Sequence, residues 1–160
     1  MGRILSINVS HKRGVVKAPV DEAVLVPGRG IEGDAHAAPG DRQVSLLMEE
    51  SIEKMRARIR AQLAAEPERK RHRKLELEPG AFAENLTVEG IDLAALAIGD
   101  EVLVGEGEGL RLRVSKIGKE CHHGCAILKL VGDCIMPREG IFCEVLTGGT
   151  IRPGDPIAPR

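Results

Sequence analysis

The sequence predicts a mainly β protein with one long helix. Three observations carry this expectation. Nineteen glycines and nine prolines separate short Val/Ile/Leu runs, the punctuation expected of many short strands joined by turns. Leu110, Leu112 and Val114 alternate with Arg111, Arg113 and Ser115, the period of a strand with one buried face. The period turns helical once, where Ile52, Met55, Ile59 and Leu63 recur on one face and Glu53, Arg56, Arg58 and Arg60 fall on others.

The elements follow in order. Ile4, Ser6, Asn8 and Ser10 set a first strand over Arg3 to Ser10, and a second is expected over Glu22 to Val26. The helix occupies the stretch from Ser45 to Glu66 and is closed by Pro67, which lacks the amide hydrogen a helix interior needs. The run Arg69-Lys70-Arg71-His72-Arg73-Lys74 that follows reads as a solvated loop, a charged insertion around residues 66–78, because the chain as a whole is not basic. Further strands are expected at Glu101 to Val104, Leu110 to Ile117, Ile141 to Leu146 and around Ile157. Ile98-Gly99-Asp100-Glu101-Val102 and Arg152-Pro153-Gly154-Asp155-Pro156-Ile157 are two versions of one phrase. In both, glycine supplies positive φ and aspartate bonds the local backbone before a strand begins.

Composition excludes several functions. The 160 residues, 42% hydrophobic, suffice for one domain with one core. The 23 basic and 24 acidic side chains nearly cancel, so no global field draws the protein to nucleic acid or an anionic membrane. Phe82 and Phe142 are its two aromatic side chains, too few for a base-stacking platform. No apolar run approaches the ~20 residues of a membrane span. Met1-Gly2-Arg3-Ile4-Leu5-Ser6 loosely fits a myristoylation pattern, yet it lacks a signal's apolar core and reads better as the first strand. A cytoplasmic protein with no nucleic-acid or membrane partner is expected.

The four cysteines, Cys121, Cys125, Cys134 and Cys143, all lie in the last 40 residues. In a reducing compartment a disulfide framework is not expected. Cys121-His122-His123-Gly124-Cys125 combines sulfur and imidazole, donors suited to a soft or borderline metal, with Cys121 and Cys125 as candidate ligands. Cys121 also reads as a reactive thiol, because Lys116, Lys119, His122 and His123 favour the thiolate while Glu120 opposes it. Cys134 and Cys143 stand among Ile135, Met136, Ile141 and Phe142 and read as small buried hydrophobes.

The first third carries a glycine-rich loop, Gly28-Arg29-Gly30-Ile31-Glu32-Gly33-Asp34-Ala35-His36. It lacks the Lys-Ser/Thr ending of a phosphate-binding loop and the helix of a dinucleotide fingerprint, so no nucleotide is expected. Its backbone amides and His36 suit an anion. Arg42-Gln43 precedes Val44-Ser45-Leu46-Leu47, and Pro79-Gly80-Ala81-Phe82-Ala83-Glu84-Asn85-Leu86-Thr87 sets Glu84 and Asn85 beside apolar neighbours. The plain reading of that pair is a hairpin corner in which Asn85 bonds its own backbone.

Taken in order, Gly30 to His36, Arg42 to Leu46, Pro79 to Thr87, Ile98 to Asp100, Cys121, and Gly154 to Ile157 resemble the MOSC domain, the family named for the C-terminal domain of molybdenum cofactor sulfurase. The resemblance implies a β-barrel-like fold with a few peripheral helices. It also implies a link to the molybdenum cofactor (molybdopterin), with Cys121 at the place of the family's cysteine, as a persulfide carrier or a ligand to the metal. Many relatives show Arg-x-Pro-Cys there, whereas this chain has Gly118-Lys119-Glu120-Cys121. His122, His123, Cys125 and the stretch from Gly132 to Gly140 resemble the small stand-alone members associated with cofactor biosynthesis. The expected cofactor-binding set is Gly33, Asp34, His36, Arg42, Gln43, Glu84, Asn85, Lys119, His122 and His123. Two functions are open: a maturation protein that uses Cys121 for sulfur transfer, or a non-enzymatic binder of molybdate or tungstate through backbone amides, Arg42, Lys119 and His36. The expected partners are the cofactor or the oxyanion, and with them cofactor-biosynthesis enzymes or a molybdoenzyme.

Overall fold

The computed structural model describes residues 1–65, 77–107, 109–118 and 135–160. The strands are β1 (Gly2–Val9), β2 (Ala18–Val20), β3 (Ala23–Val26), β4 (Gly30–Ile31), β5 (Val44–Met48), β6 (Leu86–Glu89), β7 (Glu101–Val104), β8 (Leu110–Ile117), β9 (Ile141–Thr147), β10 (Gly149–Ile151) and β11 (Pro156–Pro159). Helix α1 spans Glu49–Ala65 and the short α2 spans Met136–Glu139. Seven strands close into a barrel in the order β1-β6-β5-β9-β8-β7-β11, with β11 pairing back onto β1. Strand β2 extends the sheet from the end of β1, and β10-β3-β4 form a second, three-stranded sheet. Among the described residues all pairings are antiparallel except β5 with β6. A parallel pair needs a crossover, and α1 lies within this one.

Alternation fills the barrel. Ile4, Ile7, Val44, Leu46, Leu86, Val88, Val102, Val104, Leu112, Val114, Ile141, Cys143 and Val145 point into one continuous core that the three-stranded sheet joins through Leu25, Ile31 and Ile151. Truncating a fully buried leucine such as Leu46 to alanine would cost about 2–5 kcal/mol, the transfer term plus the cavity left behind. A second apolar cluster lies outside the barrel, where Ile52, Met55 and Ile59 of α1 meet Leu47, Leu77, Phe82, Met136 and Phe142. Glu49 and Glu50 open α1 favourably for its dipole. Arg56 pairs with Glu49 and donates from Nε to the Leu77 carbonyl at 3.0 Å.

The helix begins four residues later than the sequence suggests, and Val44–Met48 is a strand. The reason is double burial: Val44 and Leu46 face the barrel interior while Leu47 faces the outer cluster, so the run has no polar face to reveal a period of two. The expected fourth member of the helical stripe, Leu63, lies outside the described side chains. The charged run 69–74 lies outside the described residues.

The repeated glycine-aspartate phrase is one turn used twice. Gly99 has φ +96° and Gly154 has φ +95°. The Asp100 carboxylate accepts from Ala97 N at 2.9 Å, and the Asp155 carboxylate accepts from Arg152 N at 2.8 Å. These turns launch β7 and β11, which are neighbours in the barrel. No described helix is long and apolar enough to cross a membrane.

Candidate functional site

Where β6 begins, Asn85 closes the gap between the strands on either side. Its Oδ1 accepts from Ser45 N on β5 at 3.0 Å, and its Nδ2 donates to Asn8 O on β1 at 3.1 Å. Its own N–H donates to the Ser45 hydroxyl, and its carbonyl accepts from Asn8 N. Asn85 therefore bonds two strands rather than its own backbone. Glu84, also fully buried, accepts from Gly80 N at 2.6 Å, Phe82 N at 3.1 Å and the Thr87 hydroxyl at 3.0 Å. Burial pushes its carboxyl above the ordinary range, against the pull of those donors. Ala83, with φ 60°, makes the left-handed kink that turns Glu84 back over its loop. Gly80 cannot carry a Cβ, which would stand 2.1 Å from the Lys17 carbonyl.

Beside that loop lies a buried ion pair. Lys17 Nζ is 2.7 Å from Asp34 Oδ1, and both side chains have no exposed surface. The ammonium also reaches Ser10 Oγ at 3.0 Å and His36 Nδ1 at 3.2 Å. Asp34 Oδ1 accepts from Ser10 N, and Oδ2 accepts from His36 N. Burial alone would raise the Asp34 carboxyl. The hydrogen bonds from His36 and Lys17, with the Lys17 charge, outweigh it and hold the group well below the ordinary carboxylate range. The His36 ring is 17% exposed. Gly33, at φ +83°, has open space where a Cβ would stand.

The loop at 39–43 meets β8 and β9. Ser115 Oγ lies 2.8 Å from the Asp41 carbonyl and 3.1 Å from the Phe142 carbonyl. Gln43 is buried, accepting from Val145 N at 3.0 Å and donating to Gly40 O at 3.1 Å. Arg42 places its guanidinium carbon 6.0 Å from the centre of the Phe142 ring. Opposite Phe142 in the ladder stands Lys116. Among the described residues neither Arg42 nor Lys116 forms an ion pair. An open cleft of about 640 Å³ runs along this loop, lined by Pro39, Gly40, Asp41, Gly99, Arg113 and Glu144 among others.

Of the expected cofactor-binding side chains, Asp34, Gln43, Glu84 and Asn85 are buried, with their polar atoms committed to the fold. Gly33, His36 and Arg42 remain at the surface of the same region. Lys119, Cys121, His122, His123, Cys125 and Cys134 lie outside the described residues. Among the described residues no group of three or more His, Cys, Asp or Glu side chains could hold a metal ion. Cys143 is buried in β9, and burial, with the Glu144 charge, pushes its thiol up to about 12. The residues sequence reasoning missed are Lys17, Ser10, Asn8 and Ser45. No local signal marks Lys17, which stands between Val15-Val16 and Ala18-Pro19-Val20.

Solved structures share the fold. The YuaD protein from Bacillus subtilis superposes with a TM-score of 0.72 at 18% identity, over 98% of this chain and 94% of that one. YiiM from Geobacillus stearothermophilus gives 0.68 at 21% identity, over 100% and 75% of the respective chains. YiiM from Escherichia coli gives 0.65 at 20% identity, over 100% and 70%. No curated protein sequence matches the chain. The family model of the MOSC domain matches residues 32–158. That match starts at the turn holding Asp34 and runs through the barrel to its closing strand, so the chain belongs to the MOSC domain family, which is associated with molybdenum-cofactor functions.

Proposed function

We propose that this protein binds the molybdenum cofactor, or the molybdate or tungstate oxyanion, beside the 33–42 loop and the end of β8, and carries sulfur on Cys121 during cofactor maturation. One observation carries the reading. The loop at 39–43 is fastened to β8 through Ser115, and two cations without ion pairs among the described residues, Arg42 and Lys116, stand at that junction. Strand β8 ends at Ile117, four residues before Cys121. The donor set fits an anionic, oxygen-rich group: two cationic side chains, the His36 ring and an open glycine at Gly33. When bound, the cofactor would supply a molybdenum centre and a phosphate on its pterin.

The chain's own chemistry is then sulfur loading. The Cys121 thiolate attacks the outer sulfur of a donor persulfide. The donor's S–S bond breaks, the donor leaves as a thiolate, and the new S–S bond leaves Cys121 as a persulfide, with no net oxidation. His122 or His123 takes the thiol proton, and Lys119 holds the anionic cargo. The buried Asp34, Gln43, Glu84 and Asn85 act from behind, fixing the loops that present Gly33, His36 and Arg42. The partners of this reading are a cofactor-biosynthesis enzyme as sulfur donor and a molybdoenzyme as recipient.

The test is mass spectrometry of the purified protein after incubation with a small-molecule persulfide donor, alongside metal analysis and titration with sodium molybdate. A one-sulfur gain on the Cys121 peptide, lost in Cys121→Ser, is the expected result. Molybdate binding that needs Arg42 yet survives Cys121→Ser, with no sulfur gain, would favour the non-enzymatic oxyanion binder. A stoichiometric metal lost in both Cys121→Ser and Cys125→Ser would instead make that pair a metal site.

A further inference from the structure

Charge is unevenly spread over the described surface. Arg3, Arg60, Arg111, Arg113 and Arg152 each hold a carboxylate. Lys12, Arg13, Arg29, Arg42, Lys54 and Lys116 form no ion pair among the described residues. Lys54 stands apart from the rest, on α1 beyond the C-terminal end of β5. The other five share one connected surface. The turn at 34–38 is its centre, and segment 10–13 lies on one flank: Ala35 donates its N–H to Ser10 O at 2.8 Å, and Ala35 O accepts from Arg13 Nε at 3.4 Å. On the other flank Ala38 donates its N–H to Arg29 O at 3.0 Å. Gly30 then packs against Gln43, where a Cβ would stand 2.4 Å from the Gln43 carbonyl, so the backbones beside Arg29 and Arg42 meet. Arg42 lies over Phe142, the ladder partner of Lys116. Lys12, Arg13, Arg29 and Arg42 are exposed. In the loops that carry these four, the carboxylates are Asp34, paired with Lys17, and the exposed Glu32 and Asp41. The rim is therefore positive in a chain whose charges nearly cancel.

We propose that this rim is a docking surface for an acidic segment of a partner protein, with Lys12, Arg13 and Arg29 as its outer contacts and Arg42 where it meets the proposed cargo site. A small oxyanion is held by a few converging donors, whereas these cations are spread over three loops and a strand, the layout an extended partner needs. A nucleic-acid single strand would need exposed aromatic faces for its bases, and the aromatic ring of the rim, Phe142, is buried. Glu32 and Asp41 would also repel a continuous phosphate backbone, while a protein segment can set donors opposite them. Exposed ion pairs add little affinity singly, so the rim acts chiefly on the rate of encounter and on the choice of partner. The inference goes beyond the proposed function: it needs neither sulfur on Cys121 nor a bound oxyanion, and its test reads neither.

The probe is a fluorescein-labelled octaglutamate peptide, mixed with the full chain in a stopped-flow instrument and titrated by fluorescence anisotropy. The wild type should bind it, with an association rate that falls about tenfold between about 20 mM and about 200 mM NaCl as the field is screened. Lys12→Glu and Arg29→Glu, made singly, should each weaken binding several-fold at low salt, chiefly by slowing association. Neither side chain makes a hydrogen bond or ion pair among the described residues, so both variants should keep the wild-type melting temperature. Lys54→Glu makes the same change in net charge on α1 and should leave binding near the wild-type value. Equal losses in all three variants would show that net charge, not this surface, draws the peptide, and would overturn the proposal. Absent or salt-independent binding would overturn it too. An oligothymidylate of equal charge that binds more tightly than the peptide would assign the rim to nucleic acid instead. Full displacement of the peptide by sodium phosphate at constant ionic strength would reduce the rim to a small-anion subsite, against the proposal. Sulfur loading and molybdate binding are scored separately, so failure here and failure of the proposed function are distinguishable.

Discussion

Lys17 Nζ and Asp34 Oδ1 form a 2.7 Å ion pair from which water is fully excluded. The pair ties the segment between β1 and β2 to the turn after β4, two stretches that no strand ladder joins directly. Lys17 also donates its backbone N–H to the Gly80 carbonyl at 2.9 Å, so the ammonium and its own peptide fasten two different loops. Desolvation of both ions opposes folding, and their attraction with the surrounding hydrogen bonds offsets it. The unit is structural support for the surface on which His36 stands.

Removing one partner should be far worse than removing both. Lys17→Met leaves the Asp34 charge buried without its counter-ion, at a cost of about 3–5 kcal/mol. Lys17→Met combined with Asp34→Leu should recover much of that loss. Urea unfolding of the two single variants and the double variant measures this as a double-mutant cycle. Additive losses in the double variant would mean the two residues do not act as a pair.

The same pair makes a pH prediction. Asp34 is held below its unfolded value of about 3.9. A carboxyl depressed in the folded state stabilises fully above the unfolded pKa, and that contribution fades as pH falls from there toward the folded value. The melting temperature of the wild type should therefore drop as pH goes below about 4. Asp34→Asn should start lower at neutral pH and lose less on acidification. A parallel pair of pH profiles would count against the assignment.

Asn85 offers a sharper distinction between support and contact. Asn85→Asp keeps the acceptor for Ser45 N but replaces the donor that serves Asn8 O with a second acceptor, while Asn85→Ala deletes both. Each leaves buried backbone groups unsatisfied, so both should lose on the order of 2–4 kcal/mol. For the protein that remains folded, molybdate affinity should match the wild type, measured by calorimetry well below the melting temperature. A stable Asn85→Asp that fails to bind would instead make Asn85 a ligand contact.

Much of the barrel is legible in the sequence because half-buried strands declare themselves. In β8 the alternation of Leu112 and Val114 with Arg111 and Arg113 survives into the structure, with the arginines outside the barrel. Strand β5 does not declare itself, since Leu46 and Leu47 are buried on opposite faces and the run continues straight into α1. The site was half legible for a similar reason. Asp34 and His36 stand out in a glycine-rich turn, but their partner Lys17 lies 17 residues away from Asp34 in an apolar stretch, and only tertiary structure joins them. Glu84 and Asn85 were conspicuous as polar residues among apolar neighbours. That oddity marks buried hydrogen bonding as readily as function, and here it marks the joint between β1, β5 and β6.

Cysteine reactivity gives the last prediction. The thiolate is the nucleophile, so labelling follows exposure and thiolate fraction together. Cys143 fails on both counts: it has no exposed surface, its side chain packs in the barrel core, and its thiol is pushed up to about 12. An alkylating reagent at neutral pH should leave Cys143 untouched until the protein unfolds. Cys121 follows the polar stretch Lys116 to Glu120 and precedes two imidazoles, so it should react first, and faster as pH approaches the ordinary thiol value of about 8.5. Peptide mapping after timed alkylation separates the two. Prior treatment with a persulfide donor should leave Cys121 carrying one extra sulfur under the alkyl group, with Cys143 unchanged. Cys121→Ser should keep the melting temperature near that of the wild type and remove the fast-labelling site. Equal native labelling of Cys121 and Cys143 would contradict the burial of one and the assigned role of the other.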